Sequence, residues 1–341
     1  MQIMDWYQMI RPMVFAIDPE VDHKIVGSGL KIFNDHPKFL KKLFYTRKRD
    51  NLKVQIKDVV FDSPIGIAAG FDKKAEFYNS LAGLGAGFVE IGSVTRNPQE
   101  GNPKKRIFRL TEDQGIINRM GLNNVGIEET KRRLKNHPSK TKLGISIAPG
   151  HGLSSEEMVQ EMIEDIKDIH EYADYIALNL SCPNQVGVTV LQQLDVLKPL
   201  LEGISELGIK EPVFGKFSND IDTDELIHNL HEVDGLMDGI ILSNCSTKRE
   251  NLISHNQVEK GGLSGKPIFA RSMYLTKTLH KEFPDMPIIY SGGIFTPEDA
   301  QLALETGATL VQVYSGFIYN GPSLIEKINR HLSEKNLIDS I

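Results

Sequence analysis

Residues 175–218 read YIALNLSCPNQVGVTVLQQLDVLKPLLEGISELGIKEPVFGKFS. An apolar, β-branched run opens this stretch, another closes it, and a longer helical pattern lies between. That is one strand–helix–strand unit, the building block of a parallel sheet. The same rhythm runs from Pro64 onward, with strand-like runs at 64–70, 88–95, 143–149, 175–181, 213–218, 239–244, 287–293 and 310–316. Eight such runs match an α/β fold closed as a (β/α)8 TIM barrel; a doubly wound open sheet is the alternative. The segment 54–61, VQIKDVVF, reads as a hairpin that plugs the barrel bottom. Loops and short helices are expected over 96–142, including 106–110 and 118–126. The expected division is a helical extension over 1–50 and a barrel domain over 51–341.

Composition narrows the function classes. A chain of 341 residues, 40% apolar and 25% charged, has the balance of a globular protein with a large core. The net charge of −6 argues against a nucleic-acid partner, whose backbone demands a basic face. No apolar run reaches the roughly 18 residues of a membrane span, and no secretory signal opens the chain. Two cysteines, Cys182 and Cys245, exclude a disulfide scaffold and favour a cytosolic compartment. No metal site is expected; His228 and His231 sit in a polar helical pattern and read as solvated surface.

Polar residues gather where the strands end, at the barrel face that carries active sites. The first run leads into Gly70-Phe71-Asp72-Lys73, the fourth into Asn179-Leu180-Ser181-Cys182-Pro183-Asn184 and the sixth into Ser243-Asn244-Cys245. Lys216 lies in the fifth. Amides donate and accept together, so three Asn suit a flat heterocycle with alternating N–H and C=O groups. The lysines suit a carboxylate or an electron-rich ring. Ser291-Gly292-Gly293, Tyr314-Ser315-Gly316 and Gly261-Gly262-Leu263-Ser264-Gly265 form three glycine-rich loops on this rim. Together they point to a phosphate, because glycine lets backbone N–H groups approach closely.

AAGFDK (68–73), EIGSVT (90–95), RIFRL (106–110), NRMG (118–121), NLSCPN (179–184), GGLSGKP (261–267), SGGI (291–294) and VQVYSGF (311–317) occur in this order. The chain thereby resembles the dihydroorotate dehydrogenases over nearly its whole length. Asp18-Pro19-Glu20 and His23 resemble the N-terminus of the membrane-associated, quinone-linked class. The resemblance implies FMN as cofactor and oxidation of dihydroorotate to orotate in pyrimidine biosynthesis, with a quinone as final acceptor. It places the enzyme peripherally at the cytoplasmic face of the inner or cell membrane. Ala69, Gly70, Ser93, Ser146, Asn179, Lys216, Ser243, Gly265, Gly293, Tyr314 and Ser315 match FMN-contacting positions. Lys73, Asn118, Arg119, Met120, Gly121, Leu122, Asn179, Asn184, Asn244 and Cys245 match the substrate site. Cys182 stands at the catalytic base, and His23, Arg109 and Tyr314 match the quinone tunnel.

Several positions depart from the quinone-linked pattern. Cys182 replaces the usual Ser base and Leu122 a usual Phe; both are as in the soluble classes. Residues 185–189, QVGVT, replace a usual Thr-Pro-Gly-Leu-Arg, Cys245 a usual Thr, and Ser146 a usual Asn. A thiol, with a reference pKa of about 8.5, needs less help than a hydroxyl to take a proton. Two other readings stay open: the same oxidation with fumarate or NAD as acceptor, and a flavin barrel with an altered substrate. An RNA-modifying flavin barrel would need a basic face and an RNA-binding domain, and neither is visible.

Overall fold

The computed structural model describes residues 6–184 and 187–335. Three helices lead: α1 (Trp6–Phe15), α2 (Pro19–Ile32) and α3 (Pro37–Leu43). Asp18 caps α2 by accepting the N–H groups of Glu20 and Val21, and Pro19 occupies the first turn, where its missing N–H costs nothing. A hairpin follows, β1 (Val54–Ile56) and β2 (Val59–Phe61), then β3 (Ile65–Ile67), α4 (Tyr78–Gly83) and β4 (Phe88–Val94). Next come β5 (Ile107–Leu110), β6 (Gly115–Asn118), α5 (Ile127–Asn136), β7 (Lys142–Ile147), α6 (Ser155–Ile169) and β8 (Tyr175–Asn179). The chain continues through α7 (Leu194–Glu206), β9 (Val213–Phe217), α8 (Thr223–Glu232), β10 (Gly239–Leu242), β11 (Gly262–Gly265) and α9 (Phe269–Glu282). It closes with β12 (Ile288–Tyr290), α10 (Pro297–Glu305), β13 (Leu310–Val313), α11 (Ser315–Asn320) and α12 (Ser323–Lys335).

Strands β3, β4, β7, β8, β9, β10, β12 and β13 form a closed parallel barrel in that order. All eight lie within the runs read from the sequence, give or take a residue. Their side chains alternate between two environments, as a pleated strand requires. Ile65, Ile67, Val89, Ile91, Ile145, Ile176, Leu178, Ile240 and Val311 pack outward into the main core with the helices. Phe88, Tyr175, Phe214, Ile241, Ile289 and Leu310 fill the barrel foot with Ile56 and Phe61 of the hairpin, which therefore plugs it. Glycines make room for these rings. A Cβ on Gly66 would lie 2.5 Å from the Phe88 ring, and one on Gly144 would lie 2.1 Å from Tyr175.

Residues 106–110 and 261–265, expected as loops, are strands for most of their length. β5, β6 and β11 form an antiparallel sheet of their own. The partners β6 and β11 lie far apart in sequence, so no local turn signals their pairing. His231 pairs with Glu282 at 2.9 Å on the exposed side of α8. Among the described residues, no group of His, Cys, Asp and Glu is arranged to hold a metal, and no helix is long and apolar enough to cross a membrane.

Candidate active site

A cleft of about 1090 Å³, open mouth included, occupies the upper end of the barrel. Ala69 and Gly70 line it from beyond β3, Ser93 from β4, Ser146 from β7, Asn179 from β8 and Lys216 from β9. Ser243 follows β10, Gly265 ends β11, Gly293 follows β12, and Tyr314 and Ser315 follow β13. Lys73, Asn118, Met120, Gly121, Leu122, Cys182, Asn184, Asn244 and Cys245 complete the wall. Arg119 is the exception. Its guanidinium pairs with Glu259 at 2.7 Å and lies over the Phe108 ring, 4.4 Å from its centroid. Of the altered loop, residues 185 and 186 lie outside the described residues.

The cleft has a polar middle above the apolar foot. Lys216 Nζ donates to Glu90 Oε1 at 3.2 Å. Glu90 is fully buried and also accepts from Tyr175 Oη at 3.1 Å and Gln312 Nε2 at 2.6 Å. A buried carboxylate is tolerable only with partners of this kind. Glu90 and Gln312 carry no site signal in the sequence beyond the inward parity they share with Phe88 and Leu310. Asn179 donates to Ser93 Oγ at 2.9 Å, and Ser93 and Ser146 share a hydrogen bond of 2.8 Å. Asn244 Nδ2 donates to Asn179 Oδ1 at 3.1 Å, and Asn184 Nδ2 to Asn118 Oδ1 at 3.2 Å. Asn118 Nδ2 lies 3.8 Å from Cys245 Sγ, a thiol that burial pushes up in pKa.

One end of the cleft is nearly all backbone. Gly265 and Gly293 have φ of +99° and +79°, and a Cβ on Gly293 would meet the Gly265 carbonyl at 2.7 Å. A Cβ on Gly316 would meet the Ile294 carbonyl at 1.8 Å. Ser264 and Ser315 add hydroxyls 2.9 Å apart. Such a cradle of close backbone and two hydroxyls fits a phosphate group.

Lys73 donates to the Gly70 carbonyl. Burial, reinforced by the nearby Arg106 charge, pulls its amine down to about 8. Asp72 and Glu20 offset only part of that cost, and a ligand with a negative group would offset more.

A second cavity, about 1570 Å³ and overwhelmingly apolar, lies beneath α1, α2 and α3. Trp6, Ile10, Val26, Leu30, Phe44 and Phe71 contribute to its wall, as do His23, Arg109 and Tyr314. Arg109 pairs with Asp22 at 2.6 Å. Burial, with the Lys73 charge, pushes His23 down to about 4, so its ring is neutral at pH 7, and Nε2–H donates to the Phe71 carbonyl at 2.9 Å. Asn118, Met120 and Tyr314 line both cavities, so a single layer of side chains divides them.

A family model described as dihydroorotate dehydrogenase matches residues 51–335. A protein of Christiangramia forsetii named dihydroorotate dehydrogenase (quinone) is 40% identical, with 96% of this chain and 99% of that one covered. A protein of Idiomarina loihiensis with the same name is 37% identical, with 96% and 100% covered. The crystal structure of DHODH from Eimeria tenella in complex with ferulenol is similar with a TM-score of 0.83, at 31% identity over 95% of each chain.

Proposed function

The chain belongs to the dihydroorotate dehydrogenase family, and from that premise we propose that it oxidises dihydroorotate to orotate and passes the electrons to a quinone. The observation that carries this reading is the pair of cavities, one polar and one apolar, with Asn118, Met120 and Tyr314 lining both. A charged substrate and an oily acceptor each need a chamber of their own chemistry.

The cofactor we assign is FMN. Gly265, Gly293 and Ser315 would hold its phosphate, and Ala69, Gly70, Ser93, Ser146, Asn179, Lys216, Ser243 and Tyr314 would surround its ring. When bound, FMN supplies a two-electron acceptor that can hand its electrons on to a quinone. The other work falls to the chain itself. Lys73 offers a cation to the substrate carboxylate. Asn118, Asn179, Asn184 and Asn244 fix the ring through paired donors and acceptors, with Met120, Gly121, Leu122 and Cys245 shaping the wall. Cys182 Sγ takes the proton from the ring carbon beside the substrate carbonyl as hydride leaves the neighbouring carbon. His23, Arg109 and Tyr314 are assigned to the quinone head.

The leading helices give the route to a membrane. Met9, Met13, Ile25, Ile32 and Leu43 are each more than half exposed, and Lys41 and Lys42 stand beside them. Apolar side chains flanked by cations suit a surface lying in a lipid interface. We therefore assign residues 1–50 as the quinone-access extension and place the protein peripherally at the cytoplasmic face of the inner or cell membrane.

The test is oxidation of dihydroorotate by the purified yellow protein, with quinone, fumarate and NAD compared as acceptors. About one FMN per chain, anaerobic bleaching by dihydroorotate and fastest turnover with quinone are expected. Protein that stays colourless with excess FMN rejects the assignment. Fastest turnover with fumarate or NAD moves the acceptor to a soluble one.

A further inference from the structure

Arg106, just before β5, is only 7% exposed. Its Nη2 and Nε donate to the two carboxylate oxygens of Glu20 on α2, at 3.0 and 3.2 Å. Its Nη1 donates to the carbonyls of Glu100 and Asn102, both at 2.8 Å. A bidentate pair of this kind fixes the guanidinium plane as well as its position.

Asn102 carries the constraint onward. Its N–H donates to the Met120 carbonyl at 3.0 Å. Its side-chain amide donates to the carbonyls of Arg119 at 3.0 Å and Asn184 at 3.3 Å. Asn184 in turn reaches Asn118, and both line the cleft. Packing here is tight: a Cβ on Gly121 would sit 2.7 Å from the Asn102 amide carbon. Two side chains, Arg106 and Asn102, thus lead from a carboxylate on the N-terminal helix to the loop holding Asn184 and Cys182.

We propose that α2, through Glu20, Arg106 and Asn102, is a positioning element of the dihydroorotate site, so that the docking of this helix sets substrate affinity. The inference rests on the functional reading above and adds a role for three residues that line neither cavity. Removing the Glu20 charge leaves Arg106 buried without its counter-ion. The guanidinium is then drawn toward water and loosens its hold on the carbonyls of Glu100 and Asn102. A second effect acts through charge. Lys73 faces Arg106, Asp72, Glu20, Lys74 and His23. With Glu20 neutral, the Arg106 charge opposes protonation of Lys73 more strongly.

The experiment uses the full chain with its flavin and reads orotate binding by flavin absorbance. Glu20→Gln and Asn102→Ala should each weaken orotate binding about 5- to 20-fold, the loss of one to two charge-assisted or buried hydrogen bonds. The effect should fall on KM for dihydroorotate more than on kcat. The double variant should be little worse than the poorer single one, because both cut the same path. In Glu20→Gln the pH at which orotate affinity begins to fall should lie below that of the parent. If Glu20→Gln fails to hold flavin, Asn102→Ala decides alone, with melting temperature and flavin content as controls. Variants that bind orotate within twofold of the parent, or losses that simply add, overturn the proposal. A parent protein that does not bind orotate at all rejects the functional reading, a result distinguishable from failure of the relay.

Discussion

Lys73 offers the most direct electrostatic test of the substrate site. Its amine is drawn from 10.5 to about 8, first by burial and then by the Arg106 charge. The difference corresponds to at most ~3 kcal/mol of disfavoured charge, less where water enters the open cleft. The sign is fixed by linkage. The unfolded chain binds more protons between pH 8 and 10.5, so the ligand-free fold loses stability to Lys73 below pH 8 and recovers it as the pH rises. A bound carboxylate reverses the local balance and returns the amine toward its ordinary value. Above pH 8, orotate binding must then take up about one proton, and its Kd should rise about tenfold per pH unit. Titrations of the flavin spectrum with orotate at pH 7, 8 and 9 read this directly. Lys73→Met should weaken binding by 2 kcal/mol or more, roughly 30-fold, and its residual affinity should not follow the same slope. A parent Kd that stays level from pH 7 to 9, or a Met variant within threefold of it, would refute the pairing of Lys73 with the carboxylate.

Cys182→Ala should retain orotate binding and lose flavin reduction by about 10²- to 10⁴-fold, measured by stopped flow; Cys182→Ser should also fall below the parent, and a Ser variant of equal rate shows that Leu122 and the altered loop are not matched to the thiol. Removal of residues 1–45 should abolish reoxidation by long-tailed quinone and binding to liposomes, while saturating dihydroorotate still bleaches the flavin. Retained quinone turnover after that truncation would exclude the tunnel beneath the helices. Phe88→Ala empties a site where the ring meets Phe61 at 5.4 Å and Tyr175 at 6.2 Å, and should cost about 3–5 kcal/mol in urea unfolding. A loss under 1 kcal/mol means that the barrel foot is not close-packed.

The barrel was legible because strand periodicity is local: Ile65, Ile67, Val89 and Ile91 announce one face and Phe88 the other. The hairpin at 54–61 was legible for the same reason. The place of β11 beside β6 was not, since that pairing joins residues such as Ile117 and Leu263 across most of the barrel, and the β5–β6 hairpin falls in a stretch whose sequence reads as loop. The rim residues Asn179, Lys216 and Asn244 could be found from the ends of strands. Arg119 could not be excluded from the cleft by motif alone, because its neighbours Asn118 and Met120 both line it and only the fold turns its guanidinium to Glu259. The ion pairs Arg106–Glu20 and Arg109–Asp22 left no pattern at all, as each links residues more than 80 positions apart.

The ring layer of Phe61, Phe88, Tyr175 and Phe214 closes the foot of the barrel and leaves the cleft mouth to water-borne traffic. Anything ionic that leaves the cleft must cross the same threshold by which the substrate came in, since the foot is sealed and the side chamber is oily. On the proposed role of Cys182 as base, the proton it takes and the orotate anion therefore share an exit. Viscogens, which slow diffusion through a shared mouth, should therefore slow the substrate half of the cycle while sparing the quinone half.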